Sequence, residues 1–476
     1  MTAPRQTFAA RTCRDTLPVV DRRSFLQNTA AGFGWLAATA LAHEWTSRRA
    51  VSAAETTKPA GGYVSPTAPK PPQFPAAAKR VIFLFMEGGP SHLDTFDWKP
   101  ELAKLGAGGK SRPLAPVVDF RPCGKSGLML GAGFPELAKQ ADELCLLNGM
   151  KTKTPSHHQA IVSMHTGSEN FVRPSLGSWL VYGLGTESQD LPGFITIDPI
   201  SHNGGAQNYG SAFLPATFQG TRLSSGSRSV PNIANTHLAP GDQRKQLDFV
   251  QRMNRRMLAA QPGQPELEGV IESSELAFQM QTSVPATFDI GDEPRHVRDL
   301  YGVDDGTTER FGQACLMARR LCEKGVRFIQ LTSAGWDHHN NLREGLQGRW
   351  DAIDRPIAGL IADLKQRDML KDTLIVWGGE FGRSVADDKG DGNGRGHQAK
   401  GFSMWMAGGG VKAGYRYGAT DELGGAAVEG VMDMHDLHAT ILHLLGLDHE
   451  ALTYRYAGRD FRLTETGGKV AREILA

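Results

Sequence analysis

The stretch DTLIVWGGEFGRSVADDKGDGNGRGHQ, residues 372–398, decides the fold. Its residues 373–377 are β-branched and apolar, which predicts a buried strand. Two glycines end this strand, and Glu380, Arg383 and then His397 follow in a loop rich in Gly and Asp. Ligands collect at the carboxyl ends of strands in open α/β sheets, so these three side chains are candidates to hold a metal and an anion. A polar surface turn would explain this stretch, taken alone, equally well.

A second strand of the same kind opens the fold. Residues 79–86, KRVIFLFM, are almost continuously apolar, which fits a strand covered on both faces. Glu87, His92, Asp94 and Asp97 follow it around two glycines. Asp97 is the first candidate for a helix cap, so the other three remain as ligand candidates.

A third strand, residues 326–333 (VRFIQLTS), is followed by Gly335, Asp337, His338 and His339. A carboxylate beside imidazoles fits a divalent ion, and a solvated turn is the alternative. The strand–helix alternation around all three strands predicts an α/β fold with a mostly parallel sheet.

A serine begins a further predicted helix. After a predicted strand at residues 144–148 comes TPSHHQA, in which Ser156 stands at a helix start. Ser156 is either an N-cap or a nucleophile whose transferred anion sits at the positive end of the helix dipole. The next residues, His157 and His158, are candidate metal ligands or acid–base groups. Arg173 contacts the substrate or braces a carboxylate.

The N-terminus carries a targeting pattern. Arg22 and Arg23 precede Phe-Leu and an apolar, Ala-rich run that ends at Ala42, with a second cleavage site near Ala53. This order predicts a twin-arginine signal peptide over residues 1–42, and thus a periplasmic or secreted protein. The apolar run is too short and too weakly apolar to predict a membrane span, so no span is expected after signal removal. Residues 43–78, rich in Ala, Thr, Pro and Lys, predict a flexible linker.

Composition restricts the partners. The chain has 476 residues and a net charge of +1, which gives no broad electrostatic basis for binding nucleic acid or an anionic membrane. The four cysteines beyond the signal match no zinc spacing and are expected to be buried thiols. The alternation of strands and helices is lost between residues 184 and 300, which predicts an inserted cap region around 200–300 above the site. The sequence does not fix the oligomeric state.

The layout resembles the alkaline phosphatase-like superfamily of metal-dependent phosphatases and sulfatases. More closely, the chain resembles the bacterial family of domain of unknown function 1501, over residues 79–465. The segments that carry this likeness are FMEGGPSHLDTFDWKP, TPSHHQAIVSMHTGS, RPSLGSWLVYGLG, GWDHHNN, GGEFGRS, MAGGGVKAG and DLHATILHLLGLDHE. The resemblance implies an alkaline phosphatase-like α/β/α sandwich with its site at the strand ends.

The resemblance also assigns roles. It puts Ser156 at the nucleophile position and makes Asp337, His339 and His397 the ligands of one metal. Glu380 corresponds to a carboxylate of a second metal site. The remaining assignments are that Asp94 or Glu87 supplies the first-strand carboxylate, and that Arg383 or Arg173 holds the anion.

The chain departs from the superfamily in two places. Phe381 follows Glu380 where the superfamily usually has a histidine, so His92, His157 or His158 replaces that ligand, or one metal binds instead of two. The segment SHHQA, residues 156–160, lacks the Cys-x-Pro-x-Arg of formylglycine sulfatases.

The resemblance implies an exported hydrolase of phosphate or sulfate esters, acting on a small-molecule or polysaccharide ester. The expected cofactor is one or two divalent ions per chain, zinc first, with calcium, magnesium or manganese as alternatives. The other interpretation is a non-catalytic binding or surface protein that keeps the fold with an incomplete metal site.

Overall fold

The computed structural model describes residues 65–105, 112–188, 190–225, 235, 237–260, 265–387 and 393–476. The expected signal peptide, residues 43–64 of the expected linker, Asp388 and Asp391 lie outside these ranges. No helix in the described ranges combines the length and the apolar character needed to cross a membrane.

The described strands alternate with helices along most of the chain. The strands are β1 (Arg80–Glu87), β2 (Phe120–Cys123), β3 (Leu128–Gly131), β4 (Leu144–Met150), β5 (Phe194–Ile197), β6 (Thr221–Leu223), β7 (Phe328–Ala334), β8 (Thr373–Gly378), β9 (Gly382–Arg383), β10 (His397–Gln398), β11 (Phe402–Ala407), β12 (Tyr415–Tyr417), β13 (Ala419–Thr420), β14 (Ala427–Glu429), β15 (Tyr454–Tyr456) and β16 (Arg459–Phe461). The helices are α1 (Pro100–Ala103), α2 (His157–Thr166), α3 (Leu176–Leu184), α4 (Pro240–Ala260), α5 (Pro265–Phe288), α6 (Arg295–Tyr301), α7 (Glu309–Glu323), α8 (Leu342–Gln366) and α9 (Met434–Leu444).

The central sheet has the strand order β12-β4-β11-β8-β1-β7-β5-β6. Strand β1 pairs in parallel with both β7 and β8, and β11 runs antiparallel between β4 and β8. The three strands singled out in the sequence are therefore direct neighbours, with β1 in the middle. The prediction of a mostly parallel α/β sheet is confirmed.

Helices cover both faces of this sheet. Along β1, Ile82 and Leu84 belong to one apolar cluster, which includes residues of α7 and α8, while Val81 and Phe83 belong to the other, which includes residues of α2, α3 and α9. Successive side chains of a strand point to opposite faces, so a continuous apolar run is what two covered faces require. The architecture is an α/β/α sandwich, and each such side chain contributes about 1.5–3 kcal/mol by leaving water.

Glycine at the end of β1 allows two strand ends to approach each other. Gly88 has φ +118°, and a Cβ on it would lie 2.6 Å from Asp337 N. A side chain at this position would therefore push away the loop that carries Asp337.

The second half of the expected linker is attached to the domain. Lys70 N donates to Leu184 O (2.8 Å), Gln73 N to Gly446 O (2.8 Å) and Ala77 N to Leu444 O (2.9 Å). These backbone hydrogen bonds hold the Pro-rich segment in place although it forms no helix or strand. Composition does not reveal such contacts, which is why it predicted a flexible linker up to residue 78. The four described cysteines are buried thiols, as predicted.

The region around residues 200–300 contains a helical hairpin. In this hairpin α4 and α5 are joined by Arg244 with Glu275 (2.7 Å) and by Gln251 Nε2, which donates to Ile271 O (2.8 Å). Helix α5 packs against residues 216–218 and against α7. Nearer the sheet, the loop after β5 brings His202 to the end of β1, as described below.

Candidate metal centre

The candidate site lies at the carboxyl ends of β8, β1 and β7. Each strand has one acidic residue of interest at or just after its end: Glu380, Glu87 and Asp337. His397 reaches the same place because β10 pairs antiparallel with β9, with His397 opposite Arg383. The first residue of α2, His157, arrives from the end of β4.

Three ligating atoms meet at one point. Asp337 Oδ1 lies 3.1 Å from His339 Nε2 and 3.1 Å from His397 Nε2, and the two imidazole nitrogens are 3.0 Å apart. These are the three residues that the resemblance assigned to one metal. The structure brings them together.

A backbone contact orients the ring of His397. Its Nδ1 donates to the carbonyl oxygen of Pro155 (2.8 Å), which is an acceptor only. This contact turns Nε2 toward Asp337 Oδ1 and His339 Nε2. The set of one carboxylate and two imidazoles that results fits a divalent cation of zinc type.

His157 connects two carboxylates. Its Nδ1 lies 2.6 Å from Glu380 Oε1, and its Nε2 lies 3.3 Å from Asp337 Oδ2. One ligand atom each from His157, Asp337 and His397 lies within 4.8 Å of the others. Glu380 is fully buried and also accepts hydrogen bonds from Gly88 N at 3.1 and 3.2 Å. Of the three histidines proposed to replace the missing ligand, His157 is the one that contacts Glu380.

The electrostatics follow from these contacts. Burial alone would raise the pKa of Asp337, but hydrogen bonds with His157 and His397 and the charge of Arg383 outweigh it and hold the pKa well below its usual range. Burial alone would lower the pKa of His157, but the hydrogen bonds and charges of Asp337 and Glu380 raise it to about 9. The pocket thus favours positive charge between its carboxylates.

The assignment of Arg383 as an anion-binding residue is corrected. Its side chain is about 1% exposed and contacts Asp337 Oδ1 at 2.5 Å. It also donates to backbone carbonyls, among them those of Gly88, Gly89 (2.8 Å) and Arg395 (3.3 Å). A guanidinium committed to the protein in this way orients Asp337 and the turn after β1.

The assignments of Asp94 and His92 as metal ligands are corrected as well. Both residues are buried, and Asp94 forms an ion pair with Arg395 (2.8 Å) in which both side chains are 0% exposed. Asp94 also accepts hydrogen bonds from Ser91 Oγ and Val117 N. His92 Nε2 contacts Gly424 O (2.9 Å), and its Nδ1 faces Arg383 N (3.4 Å). Both side chains are occupied in holding the segment after β1.

Glu87 has partners that the sequence did not reveal. His202 Nε2 lies 3.2 Å from Glu87 Oε1, and Asn203 Nδ2 donates to the same oxygen at 3.3 Å. Both residues follow β5, which adjoins β7 in the sheet. Recognition of residues 194–197 as a strand would have pointed to them by the same strand-end argument. Of the two first-strand carboxylates, Glu87 is the one at the site edge.

The remaining predicted residues lie around this cluster. Ser156 is the N-cap of α2, is exposed, and makes no side-chain capping hydrogen bond. His158 is also exposed. Arg173 lies 3.7 Å from Glu465 and stacks on the ring of Phe461. Its position matches the alternative in which Arg173 braces a carboxylate.

Phe381 fills the position of the missing histidine. It is fully buried, and its ring centroid lies 4.8 Å from that of His157 and 4.7 Å from that of His397. It therefore packs against two rings of the cluster and contributes no ligand atom.

The fold and the cluster define an α/β/α protein with a candidate divalent-metal centre at the carboxyl edge of its sheet. The chain belongs to the family described as protein of unknown function (DUF1501), whose model matches residues 78–475. This confirms the resemblance inferred from the motifs. No curated protein matches the chain.

Several solved structures are similar to this chain. The PsFucS1 sulfatase from Pseudoalteromonas sp. is 14% identical, with 84% of this chain and 72% of that one covered and a TM-score of 0.39. The lipoteichoic acid synthase LtaP from Listeria monocytogenes is 12% identical (86% and 80% covered, TM-score 0.41). The alkaline phosphatase of the Antarctic bacterium TAB5 is 12% identical (78% and 98% covered, TM-score 0.34).

Proposed function

We propose that this protein is an exported, metal-dependent hydrolase of phosphate or sulfate esters. The observation that carries the proposal is the triangle of Asp337 Oδ1, His339 Nε2 and His397 Nε2, with sides of 3.0–3.1 Å. These residues hold the first cation. When bound, a divalent cation supplies Lewis-acid polarisation of an ester oxygen and lowers the pKa of a group that attacks it.

A second cation position is proposed beside the first. It consists of Glu380 and His157, which contact each other at 2.6 Å. Glu87 is the further carboxylate at this edge, and it is 8% exposed. Because Phe381 provides no ligand atom, the second position is weaker than the first and fills at higher metal concentration.

Ser156 is the proposed nucleophile. Its hydroxyl stands at the N-terminus of a ten-residue helix, where backbone N–H groups and the helix dipole favour an anion. The side chain of Ser156 makes no capping hydrogen bond to the helix backbone, so its hydroxyl is not committed to the cap. His158, exposed two residues later, is the candidate proton donor to the leaving group. The proposed substrates are small-molecule or polysaccharide esters.

The proposal is tested on the purified chain with metal analysis and a panel of nitrophenyl phosphate and sulfate esters. Ser156→Ala is expected to lower kcat by several orders of magnitude while metal content stays unchanged. Ser175→Ala is the matched control, since Ser175 is the N-cap of α3 and likewise makes no capping hydrogen bond. Near-normal kcat in Ser156→Ala contradicts the nucleophile assignment. Absence of both metal and turnover in the unaltered chain favours the non-catalytic binding protein.

Export is tested separately. Replacing Arg22 and Arg23 with Lys should leave the precursor in the cytoplasm. Normal export of this double variant contradicts a twin-arginine signal.

A further inference from the structure

We propose that α4 docks the protein on an anionic lipid surface. This inference does not depend on the proposed hydrolase activity, because it rests on a surface outside the candidate metal centre. The whole chain carries a net charge of only +1, so the attraction is a local property of this helix.

The outer side of α4 carries an exposed apolar stripe. Phe249 is 57% exposed, Met253 50% and Met257 58%, and Val250 beside them is 43% exposed. The spacing of four places the first three on one side of the helix, over about 12 Å of its length. Most large apolar residues of the described chain are buried, so four neighbouring exposed ones indicate a contact surface.

Basic side chains border this stripe. Arg252 follows Phe249 by three positions and Arg256 follows Met253 by three, so each arginine lies next to an apolar side chain on the helix surface. Both arginines are exposed. An apolar stripe bordered by arginines is the pattern of helices that lie in the plane of a membrane interface.

Acidic residues of the hairpin have partners within the described chain. Glu275 pairs with Arg244 (2.7 Å), and Glu272 accepts a hydrogen bond from Ser65 (2.7 Å). Within α4, Asp248 is paired with Arg244 (2.7 Å). Five basic residues of α4 (Arg244, Lys245, Arg252, Arg255 and Arg256) stand against two acidic ones (Asp242 and Asp248), so the helix that carries the stripe has a formal charge of +3.

The charge pattern favours a lipid surface over a second copy of the chain. Antiparallel pairing of two α4 helices along the apolar stripe would bring Arg252 and Arg256 of one copy close to Arg252 and Arg256 of the other. Like charges in such positions repel. Anionic headgroups instead complement both arginines while the acyl region accepts Phe249.

The test is co-sedimentation of the full chain with vesicles of phosphatidylcholine alone or with phosphatidylglycerol added. We expect binding to the anionic vesicles that weakens as salt rises. Phe249→Gln with Met253→Gln and Met257→Gln, and separately Arg252→Gln with Arg256→Gln, should each lower the bound fraction at least five-fold. Val428→Gln with Val431→Gln, which removes exposed apolar side chains elsewhere, should leave it unchanged.

Three results would overturn the proposal. The first is an unaltered chain that stays in the supernatant of anionic vesicles at low salt. The second is binding that is equal in the α4 variants, which would assign it to another part of the chain, such as the N-terminal segment. The third is a mass near twice 51.6 kDa in solution that returns to the single-chain value in the Phe249 triple variant, which would make the stripe a self-association surface. Circular dichroism of each variant confirms that the hairpin still folds.

Discussion

His157 Nδ1 lies 2.6 Å from Glu380 Oε1, although 223 positions separate the two residues in the chain. Glu380 lies two residues after β8, and His157 begins α2, which follows β4. The histidine expected next to Glu380 in sequence is absent, and one from a different element contacts that carboxylate instead. Phe381, in the vacated position, packs against the ring of His157 at 4.8 Å.

The triangle of Asp337, His339 and His397 should determine metal affinity. Asp337→Asn, His339→Gln and His397→Gln should each weaken zinc binding by roughly a hundred-fold or more, because each removes one of three ligands. Calorimetric titration of the metal-free protein measures this. His338→Gln is the matched control, because the imidazole of His338 lies outside the triangle. The affinity of this variant for zinc should equal that of the unaltered chain.

Phe381→His should strengthen the second cation position. The new imidazole would stand beside His157 and Glu380 and complete a ligand set of one carboxylate and two imidazoles. We expect a second equivalent of zinc per chain in metal analysis under conditions where the unaltered chain holds one. Phe381→Leu, with no ligand atom, should not gain this equivalent, and a gain in the leucine variant would refute the explanation.

Arg383→Met should destabilise the protein by about 3–5 kcal/mol, because it leaves Asp337 and several buried carbonyls without their donor. Urea unfolding measures the loss. Arg349→Met, which removes a single hydrogen bond to Ala334 O (2.9 Å), should cost much less. A stable Arg383→Met variant with a raised KM would restore the anion-binding role that the structure removes.

Asp94→Asn should also reduce the free energy of unfolding, again by about 3–5 kcal/mol, since it leaves Arg395 buried without its counter-charge. Zinc content of the folded protein should not change. Loss of zinc at unchanged stability would return Asp94 to the ligand set.

Asp354 should make the free energy of unfolding depend on pH. Its carboxylate accepts hydrogen bonds from Glu136 N (2.7 Å) and Leu137 N (2.8 Å), and burial raises its pKa to about 6. Since folding raises this pKa from 3.8, the folded state binds the extra proton, and stability falls as pH rises from about 4 to 6.

Asp354→Asn removes this titration. The unaltered chain should lose about 3 kcal/mol more than the variant across that window, measured by urea unfolding at each pH. Parallel pH profiles of the two proteins would contradict the assignment.

The sequence by itself determined the sheet and which residues lie at its carboxyl edge. Continuous apolar runs at β1, β7 and β8 can be satisfied only by burial on both faces, and parallel strands align their carboxyl ends at one edge. Residues that directly follow those strands, such as Asp337 and Glu380, were therefore predictable as neighbours. His397 was assigned through the resemblance, and the pairing of β10 with β9 brings it to the same edge.

Tertiary structure alone decided which polar residues near a strand end face the site. Arg383 and Asp94 are close in sequence to site residues, yet both are buried in contacts that hold the loops, because a buried charge must be paired within the protein. His202 and Asn203 reach Glu87 from a strand too short to be recognised by its pattern. Local sequence fixes the position of a side chain along its strand or loop, while its partner is set by the packing of distant segments.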